Sequence, residues 1–198
     1  MSHIFVIIPA AGRSTRMGSP KQLLDIDGQP MLLTVIQPIL ASEQVTSVTV
    51  VTNSLIASSL DLPGAGTDVV LNDEPDAEMI DSIRLGVTDL QRRHDLTPDT
   101  GILICPGDQP GLRTGDIIQC CHAFLDTPKN IVIAAHDGKT GHPLIFPASH
   151  IPFVMSDACD TGLRELPQQH HEAVVTVEIA SSAVVRNINT PTDYRDIH

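Results

Sequence analysis

Residues Ile4–Ile8 read Ile-Phe-Val-Ile-Ile and run directly into Pro9-Ala10-Ala11-Gly12-Arg13-Ser14-Thr15-Arg16-Met17-Gly18-Ser19-Pro20-Lys21. A short, continuous, β-branched apolar run that stops at a proline suits a strand buried on both faces, the signature of a parallel sheet covered by helices. The loop after such a strand lies at the sheet's carboxyl edge, where ligands of open α/β sheets bind. Both the sheet and a place for chemistry are therefore announced within 21 residues.

The rest of the chain repeats the alternation. Leu32, Val35, Ile36 and Ile39 have helical spacing, with Pro38 expected to kink or shorten that helix. Val48–Val51 and Asp68–Leu71 read as strands on either side of a short helix at Leu55–Leu60. Ile80, Ile83, Val87 and Leu90 mark a helix near 78–93, Ile102–Cys105 a buried strand, and Thr114 the N-cap of a helix carrying Ile117, Ile118, Cys121, Phe124 and Leu125. Further strands are expected at Ile131–Ala135, at Leu144–Phe146 in antiparallel sense, and as a pair at Val174–Val177 and Ala183–Val185. A helix is expected between Ser156 and Gln169, and another from Thr190-Pro191. The pattern predicts one domain over residues 1–198, a three-layer α/β/α sandwich with a mostly parallel, Rossmann-like sheet.

Charge narrows the function. The chain carries 24 Asp and Glu against 12 Lys and Arg, a net charge of −12, which argues against a nucleic-acid-coating role. Yet Arg13, Arg16 and Lys21 fall within nine residues, and the next basic residue is Arg84. Gly12 and Gly18 allow backbone angles that turn N–H groups toward one anion, Ser14 adds a hydroxyl, and Arg16 and Lys21 can make charge-assisted bonds to phosphate oxygens. The alternative is a solvated Gly-rich turn. It is not a P-loop, because Ile133 stands where Gly138-Lys139-Thr140 would need a preceding glycine, and no GxGxxG occurs. No apolar run approaches the ~20 residues of a membrane span and the N-terminus lacks a basic start, so a cytoplasmic protein with no membrane partner is expected. Cys105, Cys120, Cys121 and Cys159 offer no zinc spacing and read as buried small apolar residues, while His170 and His171 read as surface residues.

Two later segments carry candidate ligands. Asp108, in Cys105-Pro106-Gly107-Asp108-Gln109-Pro110, ends a central strand and is placed to hold Mg²⁺ through one carboxylate; a type I turn aspartate is the alternative. In Arg186-Asn187-Ile188-Asn189-Thr190-Pro191, strand alternation would put Asn187 and Asn189 on one side facing one ion, Asn187 being the stronger candidate. Asn189 could instead serve only as a helix cap.

Ala10-Ala11-Gly12-x-Ser14-x-Arg16-Met17-Gly18-x-x-Lys21 resembles the signature of the MobA-like nucleotidyltransferases, closest to the molybdenum cofactor cytidylyltransferase branch. The resemblance extends over nearly the whole chain. It implies a loop wrapped round a nucleoside triphosphate, CTP favoured, with Lys21, Arg16 and Arg13 at the phosphates and the Ala10-Ala11-Gly12 backbone near the base. It implies Asp108 as a Mg²⁺ ligand, with Arg16, Lys21 and Asp108 catalytic. Asn187 and Asn189 replace the branch's usual Asp-x-Asp and are similar to the guanylyltransferase relatives. Gly141-His142-Pro143 and Asp160-Thr161-Gly162-Leu163-Arg164 resemble segments on the side of a molybdopterin-type acceptor, which implies ligand roles for His142 and Arg164; a helix-surface arginine is the plain alternative for Arg164. Asn72, Met79, Ser82 and Gly86 match the stretch before the substrate helix, giving Ser82 a binding role, whereas Glu78 stands where glycine is usual. A molybdoenzyme or its maturation chaperone is the implied protein partner.

Overall fold

The computed structural model describes residues 3–12 and 19–195. The expected first strand is β1, Ile4–Pro9, and a small hairpin that periodicity gave no sign of, β2 (Asp25–Ile26) and β3 (Gln29–Pro30), leads into helix α1, Met31–Leu40. Pro38 sits in the last turn of α1 and does not end it. There follow β4 (Ser47–Thr52), α2 (Ser54–Ser59), β5 (Asp68–Leu71), α3 (Met79–Arg93), β6 (Gly101–Ile104) and α4 (Thr114–Asp126). The remainder comprises β7 (Ile131–His136), β8 (Lys139–Pro147), α5 (Ile151–Val154), α6 (Glu165–Gln169), β9 (Val174–Glu178) and α7 (Pro191–Arg195).

The main sheet has the order β5-β4-β1-β6-β8-β7-β9. Every pairing is parallel except those of β8, which runs antiparallel to both β6 and β7, as expected for Leu144–Phe146. Alternate residues of β1 feed opposite cores. Ile4, Val6 and Ile8 meet the apolar stripes of α1 and α4, including Leu32, Ile36, Ile117 and Phe124. Phe5 and Ile7 meet Ile80, Ile83, Val87 and Leu90 of α3. Helices on both faces of a largely parallel sheet make the expected three layers. At roughly 1.5–3 kcal/mol per buried large aliphatic side chain, these two cores hold β1, β4 and β6 as a rigid platform beneath their carboxyl-end loops.

Three expectations need correction. Ala183–Val185 is not a strand: Ser182–Val185 forms a 3₁₀ turn with the Ser181 hydroxyl accepting from Ala183 N–H. Thr114 is the first residue of α4 and not its cap; the backbone N–H of the preceding Arg113 is met by Asp116 Oδ2 at 3.0 Å. The helix expected between Ser156 and Gln169 is present as the short α6, preceded by a 3₁₀ turn at Asp157–Cys159 with Gly162 at φ +122° between them. His170 is half-buried and stands edge-on to His150 and Phe153, with ring centroids 4.8 and 5.0 Å away, whereas His171 is exposed. All four cysteines are buried and free, and burial pushes the Cys120 and Cys121 thiols up to about 12, so they act as apolar filler. Among the described residues no helix is long and apolar enough to cross a membrane.

Candidate active site

The carboxyl ends of β1, β4 and β6 converge. Ala10 N–H donates to Val51 O at 2.7 Å and Gly107 N–H to Pro9 O at 3.1 Å, so the three loops that follow these strands are tied at their roots. Glycine is needed at 107 for close approach: a Cβ there would stand 2.9 Å from Leu32 Cδ1 and 3.0 Å from the Ala10 methyl. That contact brings Asp108 over the start of the first loop.

Asp108 is the centre of the site. Its Oδ2 accepts from Lys21 Nζ at 2.5 Å, and the same ammonium donates to Asn189 Oδ1 at 2.9 Å. Residues 87 and 168 positions from Lys21 thus meet on one cation. Asp108 Oδ1 is buried and has no hydrogen-bond partner among the described residues, and both side chains of the ion pair are only about 15% exposed (14% and 15%). A buried anionic oxygen without a donor is destabilising unless something else fills its lone pairs.

The C-terminal segment reaches this point because Ile188 N–H donates to Asp108 O at 2.9 Å and Gln109 Nε2 to Val184 O at 3.1 Å. It is not a strand, so the alternation that would place Asn187 and Asn189 side by side does not apply. Asn189 reaches Lys21, while Asn187 is exposed on the wall of a neighbouring cleft of about 650 Å³. The Asn189 side chain has no capping duty: Thr190 Oγ1 accepts from Asp193 N–H, and Asp193 Oδ2 accepts from the Asn189 and Thr190 N–H groups at 2.9 and 2.8 Å. Those N–H bonds hold the Asp193 carboxyl below its usual range.

On the other side of Asp108 lie two smaller cavities. One, of about 170 Å³, is lined by Ala10, Gly12, Lys21, Glu78, Ser82 and Asp108; the other, of about 370 Å³, by Ala11, Gly12, Asn53, Asn72 and Asp73. Ser82 faces the first and accepts from Asn72 Nδ2 at 3.0 Å. Glu78 has φ −85°, an extended conformation that does not require glycine, and its N–H is held by Asp81 Oδ2. His142 lines the 650 Å³ cleft with Gln109 and Asn187. Burial, opposed only in part by the Asp108 charge, pushes its imidazole down to about 4, so it is neutral near pH 7 and suited to hydrogen bonding more than to charge compensation. Arg164 is 72% exposed, lies 3.7 Å from Glu165 and borders none of the three cavities. Arg13, Ser14, Arg16 and Gly18 lie outside the described residues.

Periodicity could not reveal the side chains that shape the first loop. Gln22, Thr52 and Asn53 each donate to carbonyls of residues 10–12. The one available signal was Asn53, a capping residue type between a strand and a helix, and it does accept from Ile56 N–H at 3.0 Å.

Residues 6–174 match the family described as the MobA-like NTP transferase domain, a span that covers most of the chain, including β4, β6 and all but the first two residues of β1. The chain belongs to that family. It is 29% identical over 198 residues to a probable molybdenum cofactor guanylyltransferase of Rhodopirellula baltica, with 94% of this chain and 88% of that one aligned. Its fold is similar to that of Rv0371c from Mycobacterium tuberculosis H37Rv, with TM-score 0.81 and 22% identity over 100% of this chain and 98% of that one. The same mycobacterial protein in complex with manganese gives TM-score 0.72 at 21% identity, over 99% and 98%. A nucleotidyl transferase of Methanothermobacter thermautotroptrophicus, Mth528, gives TM-score 0.78 at 24% identity over 100% and 96%. Nucleotidyl transfer is the activity of the family, and a nucleoside triphosphate its substrate.

Proposed function

We propose that this MobA-like transferase moves CMP from CTP to a terminal phosphate of a molybdopterin-type acceptor and releases pyrophosphate. One observation carries the reading: Lys21, Asp108 and Asn189 are drawn together between the Ala10–Gly12 backbone and the cleft containing His142. An acceptor phosphate oxygen attacks the α-phosphorus, the bond from that phosphorus to the β-phosphate oxygen breaks, and the electron pair leaves with pyrophosphate. The attacking oxygen is anionic near neutral pH, so no general base is required, in keeping with a neutral His142. Rate comes from in-line placement and from neutralising charge on the transferring group.

Lys21 binds phosphate oxygens, and the buried backbone of Ala10 anchors the triphosphate loop beside it. Asp108 Oδ1, without a partner among the described residues, and Asn189 Oδ1 would supply hard oxygens that fit Mg²⁺, and Asn187 lies further out on the same segment. That the mycobacterial protein of similar fold forms a complex with manganese is in keeping with use of a divalent ion. When bound, the ion neutralises phosphate charge. His142 and the exposed Asn187 and Arg186 line the wall offered to the acceptor. A molybdoenzyme or its maturation chaperone would receive the product.

GTP is the second reading, favoured by the name of the Rhodopirellula relative. Thermal shifts with CTP, GTP and ATP, each with Mg²⁺, followed by pyrophosphate release with molybdopterin, test both. A shift and turnover largest with CTP are expected. A larger response to GTP would replace CTP, and equal or absent responses to all three would remove the base assignment.

A further inference from the structure

Gln22 is 2% exposed, an unusual place for a carboxamide, and its Nε2 directs both N–H groups at the loop that follows β1: one to Ala10 O at 2.9 Å and one to Gly12 O at 3.0 Å. Thr52 Oγ1 reinforces Ala10 O at 3.3 Å, and Asn53 Nδ2 takes Ala11 O at 3.2 Å. Three consecutive carbonyls are thereby drawn inward by side chains from two other parts of the chain. In a planar trans peptide the N–H of one residue points opposite the carbonyl of the residue before it. The peptides joining residues 10–12 are trans, the cis bond of the described chain being His142–Pro143. With the carbonyls of Ala10 and Ala11 turned inward, the N–H groups of Ala11 and Gly12 are turned outward, and both residues line the cavities beside Asp108. Among the described residues neither N–H donates to a backbone acceptor.

The geometry points to Gln22 as a positioning residue: its bond to Ala10 O fixes the peptide that presents the Ala11 amide, Asn53 fixes the next peptide, which presents the Gly12 amide, and together they hold a pair of donors open for acceptor atoms of the bound nucleotide. The role of Gln22 is exerted through the loop backbone it bonds. With Asn53 it prevents the peptides from rotating their N–H groups inward, so the order a ligand would otherwise have to impose is already present in the free protein. The inference rests on the nucleotidyltransferase reading for its ligand but not for its geometry.

Two variants separate space-filling from hydrogen bonding. Gln22→Met keeps the volume and loses both donors; Gln22→Glu keeps the shape and sets a carboxylate against two carbonyl oxygens. Positioning predicts that Met weakens binding of the Mg²⁺ complex of the preferred nucleotide by about tenfold, and Glu by more, with kcat at saturation within about threefold for Met. In the ligand-free protein, the ¹⁵N order parameter of Ala11 falls in both variants. If Glu, the closer match in shape, binds as the wild type does while Met does not, Gln22 only fills space and the inference is overturned; an unchanged Ala11 order parameter in Gln22→Met overturns it equally. Should the wild type bind none of the three nucleotides, the proposed function fails, while that order parameter still decides the role of Gln22. If Gln22→Glu does not fold, nucleotide binding and the Ala11 order parameter of the Met variant decide that role on their own.

Discussion

Replacing Lys21 by Met should separate stability from activity in a way that identifies the Asp108 cluster. The Lys21–Asp108 pair is bonded at 2.5 Å with both side chains about 15% exposed (14% and 15%), and Asp108 Oδ1 already lacks a partner among the described residues. Removing the ammonium leaves a nearly buried carboxylate uncompensated. Full burial would make that a loss of about 3–5 kcal/mol; the residual water contact lowers it to roughly 2–4 kcal/mol. For a chain of this length that is a fall of roughly 5–15 °C in Tm. The double variant Lys21→Met with Asp108→Asn removes both charges, so it should recover to within about 1 kcal/mol of the wild type. Turnover should stay depressed by orders of magnitude in the single and double variants alike. Mg²⁺ adds a further signature: in Lys21→Met both carboxylate oxygens are open to the ion, so saturating Mg²⁺, at about a hundred times its Kd, should restore up to about 2.7 kcal/mol, more than it adds to the wild type. Urea denaturation with and without Mg²⁺, paired with a pyrophosphate-release assay, reads all of this. A Lys21→Met protein as stable as the wild type, or a double variant showing the simple sum of two losses, would refute the reasoning.

Two further outcomes follow from the same geometry. A Cβ at Gly141 would fall within 1.8 Å of Val184 O, so Gly141→Ala should cost about 2–3 kcal/mol and displace the segment that delivers Asn189, whereas Gly115→Ala, with nothing within 4 Å, should be neutral or slightly stabilising; thermal melts compare the two. His142 is held neutral, with its folded value near 4 below the ordinary 6.5, so the unfolded chain takes up the proton first. Its contribution is present above pH 6.5 and lost as pH falls toward 4, by up to roughly 3 kcal/mol, and stability measured against pH should be correspondingly flatter in His142→Gln than in the wild type.

Much of the platform was legible because burial imposes periodicity. Ile4–Ile8, the stripe from Ile80 to Leu90 and the Asp108 turn could each be read from local pattern, as could the value of a lysine after a Gly-rich loop. Ala183–Val185 could not. Three β-branched or small apolar residues satisfy a strand pattern equally well, and only their contact with Gly141 and Gln109 makes them a turn. Asn189, ranked below Asn187 because it could serve only as a helix cap, is the one of the two whose side chain reaches Lys21, a contact across 168 residues that no local pattern displays.

The sequence by itself determined that a central apolar strand would end in a cation-bearing loop, that helices would cover a mostly parallel sheet, and that Asp108 would sit at its carboxyl edge, because each depends on neighbours within a few turns or one strand. Only the tertiary structure decided that Lys21 meets Asp108 and Asn189 across 87 and 168 residues, and that Gln22 turns inward to carry the loop backbone. A hydrogen bond has no memory of chain separation. Its partners are chosen by the packing of β1, β4 and β6, which residue order constrains but does not display.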